Sequence, residues 1–303
     1  MAPVKKVIAT KRKPFKMSKL FLHLVLGGFC LFIVLPMVLV ISISLTAETA
    51  LRVAGYSLIP PEFSIGAYTY IFTDYMRIFR AYGVTVFVTV TGTALGLMVT
   101  TAFAYTLSRK DFAYRGILSI FIFITMIFSG GLAPTYIMMT RWLGLTDNLL
   151  ALILPGVIGA WNVFLMKGFL STLPISVIES AKIDSASELR IFLRIVMPMS
   201  KAALATVGLF IALNYWNDWF SSLLYIRSPN LYSLQFLLYR IMANAQVLRQ
   251  IALARPGMMD LVDVPTLSAR MAMAVIASGP MLVVFAFLQK YFIKGIHLGS
   301  VKG

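Results

Sequence analysis

The side chains that most often do chemistry in proteins are scarce in this chain. Among 303 residues there are two histidines and one cysteine, and His23, Cys30 and His297 lie far from other candidate ligands. A metal site needs several such ligands at suitable spacing, and one cysteine allows no internal disulfide framework. The sequence also lacks GxxxxGK(S/T), GxGxxG and HExxH motifs. We therefore predict a protein with no catalytic centre and no cofactor of its own.

One short segment combines aromatic, amide and carboxylate groups. Residues 214–220 read Asn-Tyr-Trp-Asn-Asp-Trp-Phe. Aromatic rings offer apolar faces, and amides and carboxylates bind hydroxyl groups, a combination that suits a sugar. The candidate substrate-path residues are Asn214, Trp216, Asn217, Asp218 and Trp219, with Tyr136, Trp161 and Asn162 as weaker candidates. Because Trp and Tyr also mark membrane interfaces, an anchoring role for these residues stays open.

A second segment, residues 171–201, is polar but keeps a helical periodicity. Pro174 suits the first turn of a helix running to Asp184, and Ser185 and Glu188 match a capping box that begins a second helix. The expected apolar stripe of that second helix comprises Leu189, Phe192, Leu193 and Val196. Pro198 is expected to end it. Two short helices at a tight turn indicate a docking site for another protein, and the alternative is an amphipathic helix lying on lipid.

Long charge-free stretches surround these two segments. The chain is 59% hydrophobic and 13% charged, whereas soluble domains are about 45–50% apolar and about 25% charged. No Asp, Glu, Lys or Arg occurs in residues 20–47, 81–108, 116–140, 148–166, 202–217 and 271–289. A helix that crosses a membrane needs about 20 apolar residues. We therefore predict six transmembrane helices, and we exclude a single soluble globule and a disordered chain.

The basic residues predict how these helices are oriented. The net charge is +16, and most of the excess lies in residues 1–19, in the connections 109–115 and 167–201, and in the C-terminal tail. Basic connections stay in the cytoplasm, so both termini are expected there. The tail 1–19 is best explained as an anchor on anionic lipid headgroups, and we expect no nucleic-acid partner.

Two spans and one connection show further features. Gly92 and Gly96 form a small-xxx-small pattern that lets helices approach closely. Glycines and a proline in residues 129–134 predict that the third span ends there and that Pro134 begins a short outer helix through Arg141. Two interpretations of this break stay open: it lines a cavity, or the span simply ends there at the outer surface. The outer loop 227–270 is expected to contact a partner protein. Arg240, Arg249 and Arg255 could meet an acidic surface of that partner or be solvated, and both alternatives stay open.

Residues 179–198 resemble the EAA loop of permease subunits in binding-protein-dependent ABC importers. The family pattern is Glu-Ala-Ala, two residues, Asp-Gly-Ala, then a Phe and a later Leu-Pro. The corresponding residues here are Glu179, Ser180, Ala181, Asp184, Ser185, Ala186, Phe192 and Pro198. Other stretches look like the oligosaccharide branch, above all a MalG-like second permease for complex or acidic sugars such as alginate: residues 104–112, 128–136, 151–156, 215–220, 231–235 and 290–303.

The resemblance implies an all-α membrane protein with the type I ABC importer permease fold. Residues 20–303 would form six transmembrane helices, with a cytoplasmic two-helix coupling loop at 171–201. A second permease subunit would complete the path for an oligosaccharide, and two ATPase subunits would bind ATP and Mg. An extracytoplasmic solute-binding protein would deliver the sugar. The chain itself would hydrolyse no ATP and would lie in a bacterial cytoplasmic (inner) membrane.

The resemblance also assigns roles within the coupling loop. Glu179 would make the charged contact with the ATPase, Ala181 and Ala186 would permit close packing, Asp184 would fix the loop, and Phe192 would key the second helix into place. Ser180 and Ser185 stand where the family has Ala and Gly. A serine reaches positive φ less easily than glycine, and we expect the capping box at Ser185 to compensate.

Two other classes of membrane protein fit the sequence less well. An ion-coupled secondary transporter needs ionisable residues within its spans, and a membrane-embedded enzyme needs a cluster of catalytic side chains. The predicted spans carry neither. No interior span position offers a charge for an acidic sugar, so the expected acidity of the substrate depends on the resemblance alone.

Overall fold

The computed structural model describes residues 17–254 and 266–296. The predicted tail up to position 16 lies outside these ranges, as do Arg255 and His297, and so does the side chain of Arg249. The described chain is almost entirely helical, and its one β-bridge joins Thr46 to Phe63.

Fifteen α-helices follow one another in the described ranges. They are α1 (Met17–Ser44), α2 (Glu48–Ala54), α3 (Gly66–Ile71), α4 (Tyr75–Ser108), α5 (Arg115–Ile127), α6 (Leu132–Ile137), α7 (Leu150–Ile153), α8 (Ala160–Leu170), α9 (Ile175–Ile183), α10 (Glu188–Ile191), α11 (Met197–Met199), α12 (Lys201–Asn217), α13 (Phe220–Tyr225), α14 (Leu234–Ala254) and α15 (Leu267–Ile296). Wide π-type turns continue α6 over Met138–Trp142 and join α10 to α11 over Phe192–Val196.

Three helical stretches are continuous and apolar enough to cross a membrane: Lys19–Ser44, Gly66–Ser108 and Leu267–Phe287. Three bent pairs pass the same test as single broken spans, with bends of 107° between α5 and α6, 50° between α7 and α8, and 85° between α11 and α12. Counted in this way, the described residues contain up to six spans, which agrees with the number predicted from the charge-free stretches.

The break in the third span lies where the glycines predicted it. Helix α5 ends at Ile127, and Gly131 takes a positive φ of 87°, which glycine adopts without steric cost. The following helix begins at Leu132, two residues before Pro134, and its π-type continuation reaches Trp142. The short helix is therefore confirmed, and the prediction that Pro134 begins it is wrong by two residues.

Helices α4 and α12 pack closely because α4 carries glycine at their contact. A Cβ atom at Gly92 would lie 2.5 Å from the ring of Tyr215, and one at Gly96 would lie 3.2 Å from the carbonyl oxygen of Val157. Tyr215 is buried, and its hydroxyl donates to the carbonyl of Ile153 at 2.7 Å. The predicted role of the small-xxx-small pattern in helix packing is confirmed.

The bundle has two ends that differ in their connections. The basic end carries the turn 109–114 between α4 and α5 and the segment 171–200 that contains α9, α10 and α11. The opposite end carries residues 45–74 and 218–233 together with α14. Helix α14 occupies 21 residues of the stretch expected to be an outer loop, so a large part of that stretch is regular structure.

Candidate functional site

The predicted coupling loop forms two short helices at the basic end, as expected, but the turn between them is built differently. Helix α9 ends in a Schellman motif: the amide of Ala186 donates to the carbonyl of Ala181 at 3.0 Å, and the amide of Ser185 donates to that of Lys182 at 3.0 Å. Ser185 has a φ of 57°. It is therefore the left-handed residue just past the helix end, a position at which glycine is preferred.

The capping box assigned to Ser185 is wrong. The residue that caps α10 is Ser187, whose hydroxyl accepts from the amide of Arg190 at 3.4 Å. The Asp184 carboxylate is exposed and accepts no hydrogen bond from any residue in the described part of the chain, so backbone bonds rather than Asp184 close the turn. Pro174 precedes the first turn of α9 as its N-cap.

The apolar stripe of the second helix is also different from the prediction. Ile191, Phe192 and Val196 are buried, whereas Leu189 and Leu193 are exposed. Phe192 and Val196 are therefore buried as predicted, and Leu193 lies within the π-type turn at Phe192–Val196, which widens the helix. Pro198 does not end the helix, which runs on to Met199 before the chain bends by 85°.

A charge network fastens the coupling loop to the turn between α4 and α5. Asp111 receives a two-pronged contact from Arg109, with Nε–Oδ1 2.9 Å and Nη2–Oδ2 2.6 Å, and a third from Lys182 Nζ at 2.9 Å. Lys182 also pairs with Glu188 at 2.9 Å, and the hydroxyl of Tyr105 donates to the same carboxylate at 2.8 Å. The network links α4, α9 and α10, and sequence spacing gave no sign of it.

These contacts stabilise the charged forms of the acidic groups. The hydrogen bonds from Arg109, and then that from Lys182, hold the pKa of Asp111 well below its usual range. The hydrogen bond from Lys182 lowers the pKa of Glu188 despite partial desolvation, and the one to Glu188 raises the pKa of Lys182. The network therefore stays ionised at neutral pH.

The remaining coupling residues divide into a packed side and an exposed side. Ala181 and Phe192 are buried, and the Phe192 ring lies 5.4 Å from that of Tyr105 at the end of α4. Glu179 and Ser180 are exposed, and Ile183 next to them is 83% exposed. Ala186 packs at the edge of the main core cluster. On the exposed side, the Glu179 carboxylate forms no ion pair with a described residue and lies near the apolar side chain of Ile183 in sequence.

The aromatic and amide segment lies at the opposite end, and the structure separates its members. Trp216 is buried, and its Nε1 donates to the carbonyl of Ala277 at 2.8 Å. Asn217 is exposed and donates to the carbonyl of Leu213. Trp216 and Asn217 line a cavity of about 360 Å³ between α12 and α15, together with Gln235, Ala274, Ala277, Ser278, Met281 and Leu282.

The other candidate substrate-path residues do not line this cavity. Asp218 accepts from the amide of Ser221 at 3.0 Å near the start of α13, and Trp219 stacks on Tyr239 with centroids 4.6 Å apart. Tyr136 stacks on Tyr225 at 6.1 Å. Asn214 is exposed, as is Trp161 (63%), and Asn162 is half-buried. Asp218 thus has a structural explanation that the sequence did not suggest.

Glu48 is a polar group that the sequence analysis missed. Its carboxylate accepts from the amides of Leu267 and Ser268 at 3.0–3.2 Å and from the hydroxyls of Thr266 and Ser268. It therefore caps α15 from the other end of the chain. Burial alone would raise the pKa of Glu48, but the hydrogen bonds from Ser268, Leu267 and Thr266 outweigh it and lower the pKa. In the described ranges, no three His, Cys, Asp or Glu side chains group as metal ligands would.

Up to six apolar spans, three of them broken, and an exposed two-helix loop held by a charge network are the features expected of a membrane permease subunit. Residues 92–298 match the family described as the binding-protein-dependent transport system inner membrane component. The chain belongs to this family, and the coupling segment lies within the matched residues.

Named relatives and a solved structure agree with this assignment. The chain is 40% identical to the polygalacturonan/rhamnogalacturonan transport system permease protein YtcP of Bacillus subtilis (strain 168), with 94% of this chain and 99% of that one covered. It is 38% identical to protein LplC of the same organism, with 92% of this chain and 93% of that one covered. A crystal structure of a bacterial ABC transporter for the acidic polysaccharide alginate matches with a TM-score of 0.74 and 26% identity, covering 92% of this chain and 99% of that chain.

Proposed function

We propose that this permease forms half of an importer for acidic oligosaccharides derived from plant or algal polysaccharides. The observation that carries the proposal is the agreement of two separate similarities: the named relative serves polygalacturonan and rhamnogalacturonan, and the structural neighbour serves alginate. All three polymers contain sugar acids. The other half of the path would come from a second permease subunit, and an extracytoplasmic solute-binding protein would deliver the sugar.

The cavity between α12 and α15 is the proposed sugar-contacting surface of this subunit. Its ring, amide and hydroxyl groups come from Trp216, Asn217, Gln235 and Ser278. None of these groups is charged, so hydrogen-bond donors would bind the carboxylates of an acidic sugar. Gln235 and Ser278 are additions to the substrate-path residues predicted from the sequence. The remaining predicted residues are proposed as outer contacts for the sugar: Tyr136, Trp161, Asn162, Asn214, Asp218 and Trp219.

The basic end is proposed to face the cytoplasm, with both termini on that side of a bacterial inner membrane. The exposed face of α9, with Glu179 and Ser180, would contact one of two ATPase subunits, which bind ATP and Mg and hydrolyse the nucleotide. The charge network would transmit movement of α9 to α4 through Lys182, Asp111 and Arg109, because these contacts join α9 to the end of that span.

Reconstitution of the whole transporter tests the proposal. With the second permease, the ATPases and the binding protein in liposomes, galacturonate oligosaccharides should stimulate ATP hydrolysis and enter the vesicles, and neutral maltodextrins should not. Stimulation by maltodextrins alone would overturn the choice of substrate. Sugar uptake by this chain without ATPase subunits would overturn the importer itself and favour an ion-coupled transporter.

A further inference from the structure

A large cavity lies at the basic end and has no part in the proposed sugar path. Its volume is about 690 Å³, and it lies between the turn after α4, the start of α5, the end of α8 and helix α9. Its wall contains five basic side chains (Arg109, Lys110, Arg115, Lys167 and Lys182) and two carboxylates, those of Asp111 and Glu179. The cavity is therefore cationic.

Part of this positive charge has no acidic partner in the described chain. Arg109 and Lys182 are paired with acids in the charge network. Lys167 contacts a hydroxyl, that of Ser119 at 2.9 Å, and lies 5.7 Å from the ring centre of Phe164. Lys110 and Arg115 form no ion pair with any described residue. Nη1 of Arg109 is buried and lacks a hydrogen-bond acceptor among the described groups.

The position of the cavity indicates the source of its ligand. It lies where three predicted spans end, at Ser108, Arg115 and Leu170, so it is level with the membrane–water boundary. The rest of its wall is largely apolar, with Leu107, Leu170, Leu173, Ile175 and Ile178. A free phosphate gains nothing from such walls. An anionic lipid gains from both parts of the cavity, because its headgroup is negatively charged and its acyl chains are apolar.

Helix α5 extends the apolar surface away from the cavity. Ile117, Ile120 and Phe121 follow Arg115 and are each more than 60% exposed. Gly116 lines the cavity, and a Cβ atom there would meet nothing within 4 Å, so the first turn of α5 is uncovered. The positive end of a helix adds to the attraction for an anion.

We propose that this cavity binds the headgroup of an anionic phospholipid. Arg115 and Lys167 would contact the phosphate, Lys110 would lie at the rim, and the acyl chains would follow the exposed face of α5. Basic pockets between membrane helices bind such headgroups in other proteins. A bound headgroup would connect α5, α8 and α9, and so would brace the coupling helix against the spans.

Native mass spectrometry of the purified full chain tests the site. After equilibration in mixed micelles that contain equal phosphatidylglycerol and phosphatidylcholine, the wild type should retain phosphatidylglycerol preferentially. The Arg115→Gln/Lys167→Gln variant should bind it about 25-fold more weakly, since each basic group near a lipid surface contributes about fivefold. The matched control, Arg194→Gln/Lys201→Gln, removes two exposed charges from the same end but none from the cavity, and should stay within about twofold of wild type.

Three results would overturn the proposal. One is equal retention of the two lipids by the wild type, and a second is unchanged retention in the Arg115→Gln/Lys167→Gln variant. The third is displacement of the lipid by millimolar inorganic phosphate, or by added ATPase subunits, which would assign the cavity to a free anion or to a protein interface. If the double variant does not fold, the single variant Arg115→Gln tests the proposal. The Arg115 side chain is exposed and forms no hydrogen bond or ion pair with a described residue, so this variant should fold. The affinity of this single variant for phosphatidylglycerol should fall about fivefold.

Discussion

Ser185 is one of two described non-glycine residues with a positive φ, the other being Asp147, and its substitution by glycine should stabilise the chain. A non-glycine residue in the left-handed region costs about 1–3 kcal/mol, and glycine removes that cost at the end of α9. We expect Ser185→Gly to raise the free energy of unfolding by about 1 kcal/mol, with sugar-stimulated ATP hydrolysis kept. Thermal unfolding of the purified chain in detergent measures the first effect.

The matched control at this position is Ser185→Ala. Alanine keeps the Cβ atom and therefore the same backbone cost, so its stability should stay near that of wild type. If alanine stabilised the chain as much as glycine, the positive φ would not be the cause. Ser187→Ala should instead destabilise by about 1 kcal/mol, because it removes the cap of α10.

Some residue roles were readable in the sequence and others were not. The motif around Glu179 pointed to the permease family, which the family match confirms, because identity and spacing were both specific. The capping prediction failed at Ser185 because a Ser-x-x-Glu pattern does not show which serine begins the helix or which carries the positive φ. Glu48 was missed because its partners, Thr266 and Ser268, lie more than 200 positions away.

At the scale of helices, the contact of α4 with α12 depends on Gly92. The Cβ atom of Gly92→Ala would overlap the Tyr215 ring, which is held by its bond to Ile153. We expect a loss of about 1–3 kcal/mol in the free energy of unfolding, as for other overpacked cores. Thermal unfolding of the detergent-solubilised chain is again the measurement.

Gly83→Ala is the control for this substitution. Gly83 lies in the same helix, and a Cβ atom there would meet nothing within 4 Å. Alanine should therefore be neutral, or stabilising by up to about 1 kcal/mol, because it is the better helix former. Equal destabilisation by the two variants would show that the close approach to Tyr215 is not what makes Gly92 necessary.

The cap that Glu48 places on α15 predicts a dependence on pH. The pKa of Glu48 is lowered in the folded chain from an unperturbed value of 4.5. Its contribution to stability is therefore complete above pH 4.5 and is lost as the pH falls through the lower folded value. Glu48→Gln should cost about 1–2 kcal/mol at neutral pH and should make the acid limb of the stability curve shallower.

Glu62→Gln provides the comparison for that experiment. Glu62 is exposed at the same end of the bundle and forms no side-chain hydrogen bond with a described residue. Its substitution should leave both the neutral stability and the acid limb unchanged. An acid limb as steep in Glu48→Gln as in wild type would show that other groups cause the acid sensitivity.

Element-level prediction succeeded where a local signal was strong. Charge-free stretches located the spans, and the glycines near position 131 located the sharpest break. The bend between α7 and α8 was not predicted, although Pro155, Gly156 and Gly159 mark it in the sequence. The bend at Ser200 lies two residues after Pro198, where the sequence predicted a helix end. The wide turn at Phe192–Val196 contains Leu193, which is exposed, and a simple helical period could not show such a turn.

The molecule as a whole places the proposed sugar cavity and the proposed docking face of α9 at opposite ends of one packed bundle. Helix α4 reaches both ends: it contacts α12 near Gly92 and joins the charge network at Tyr105. Movement of α9 therefore has a continuous packed route toward α12 and the cavity beside α15. Whole-molecule function depends on partner subunits, which is why composition and motifs identified the class of transporter more readily than its sugar.

Glu179 is the residue that should separate assembly from coupling. It is exposed on α9 and forms no ion pair with a described residue, unlike Asp111 and Glu188 in the charge network. Glu179→Lys should therefore insert and fold as wild type does. A reversed charge at a docking surface opposes the partner by electrostatic repulsion, so sugar-stimulated ATP hydrolysis in the reconstituted transporter should fall by at least about tenfold.

The control for Glu179→Lys reverses an equally exposed carboxylate away from the docking face. Glu62→Lys changes the net charge of the chain by the same amount at the opposite end and should keep ATP hydrolysis and uptake coupled. Assembly is followed by co-purification of the ATPase subunits, and coupling by the ratio of sugar imported to ATP hydrolysed. Wild-type coupling in Glu179→Lys would move the contact with the ATPase to the exposed apolar groups at Ile183 and Leu189, whose replacement by serine should then release the ATPase.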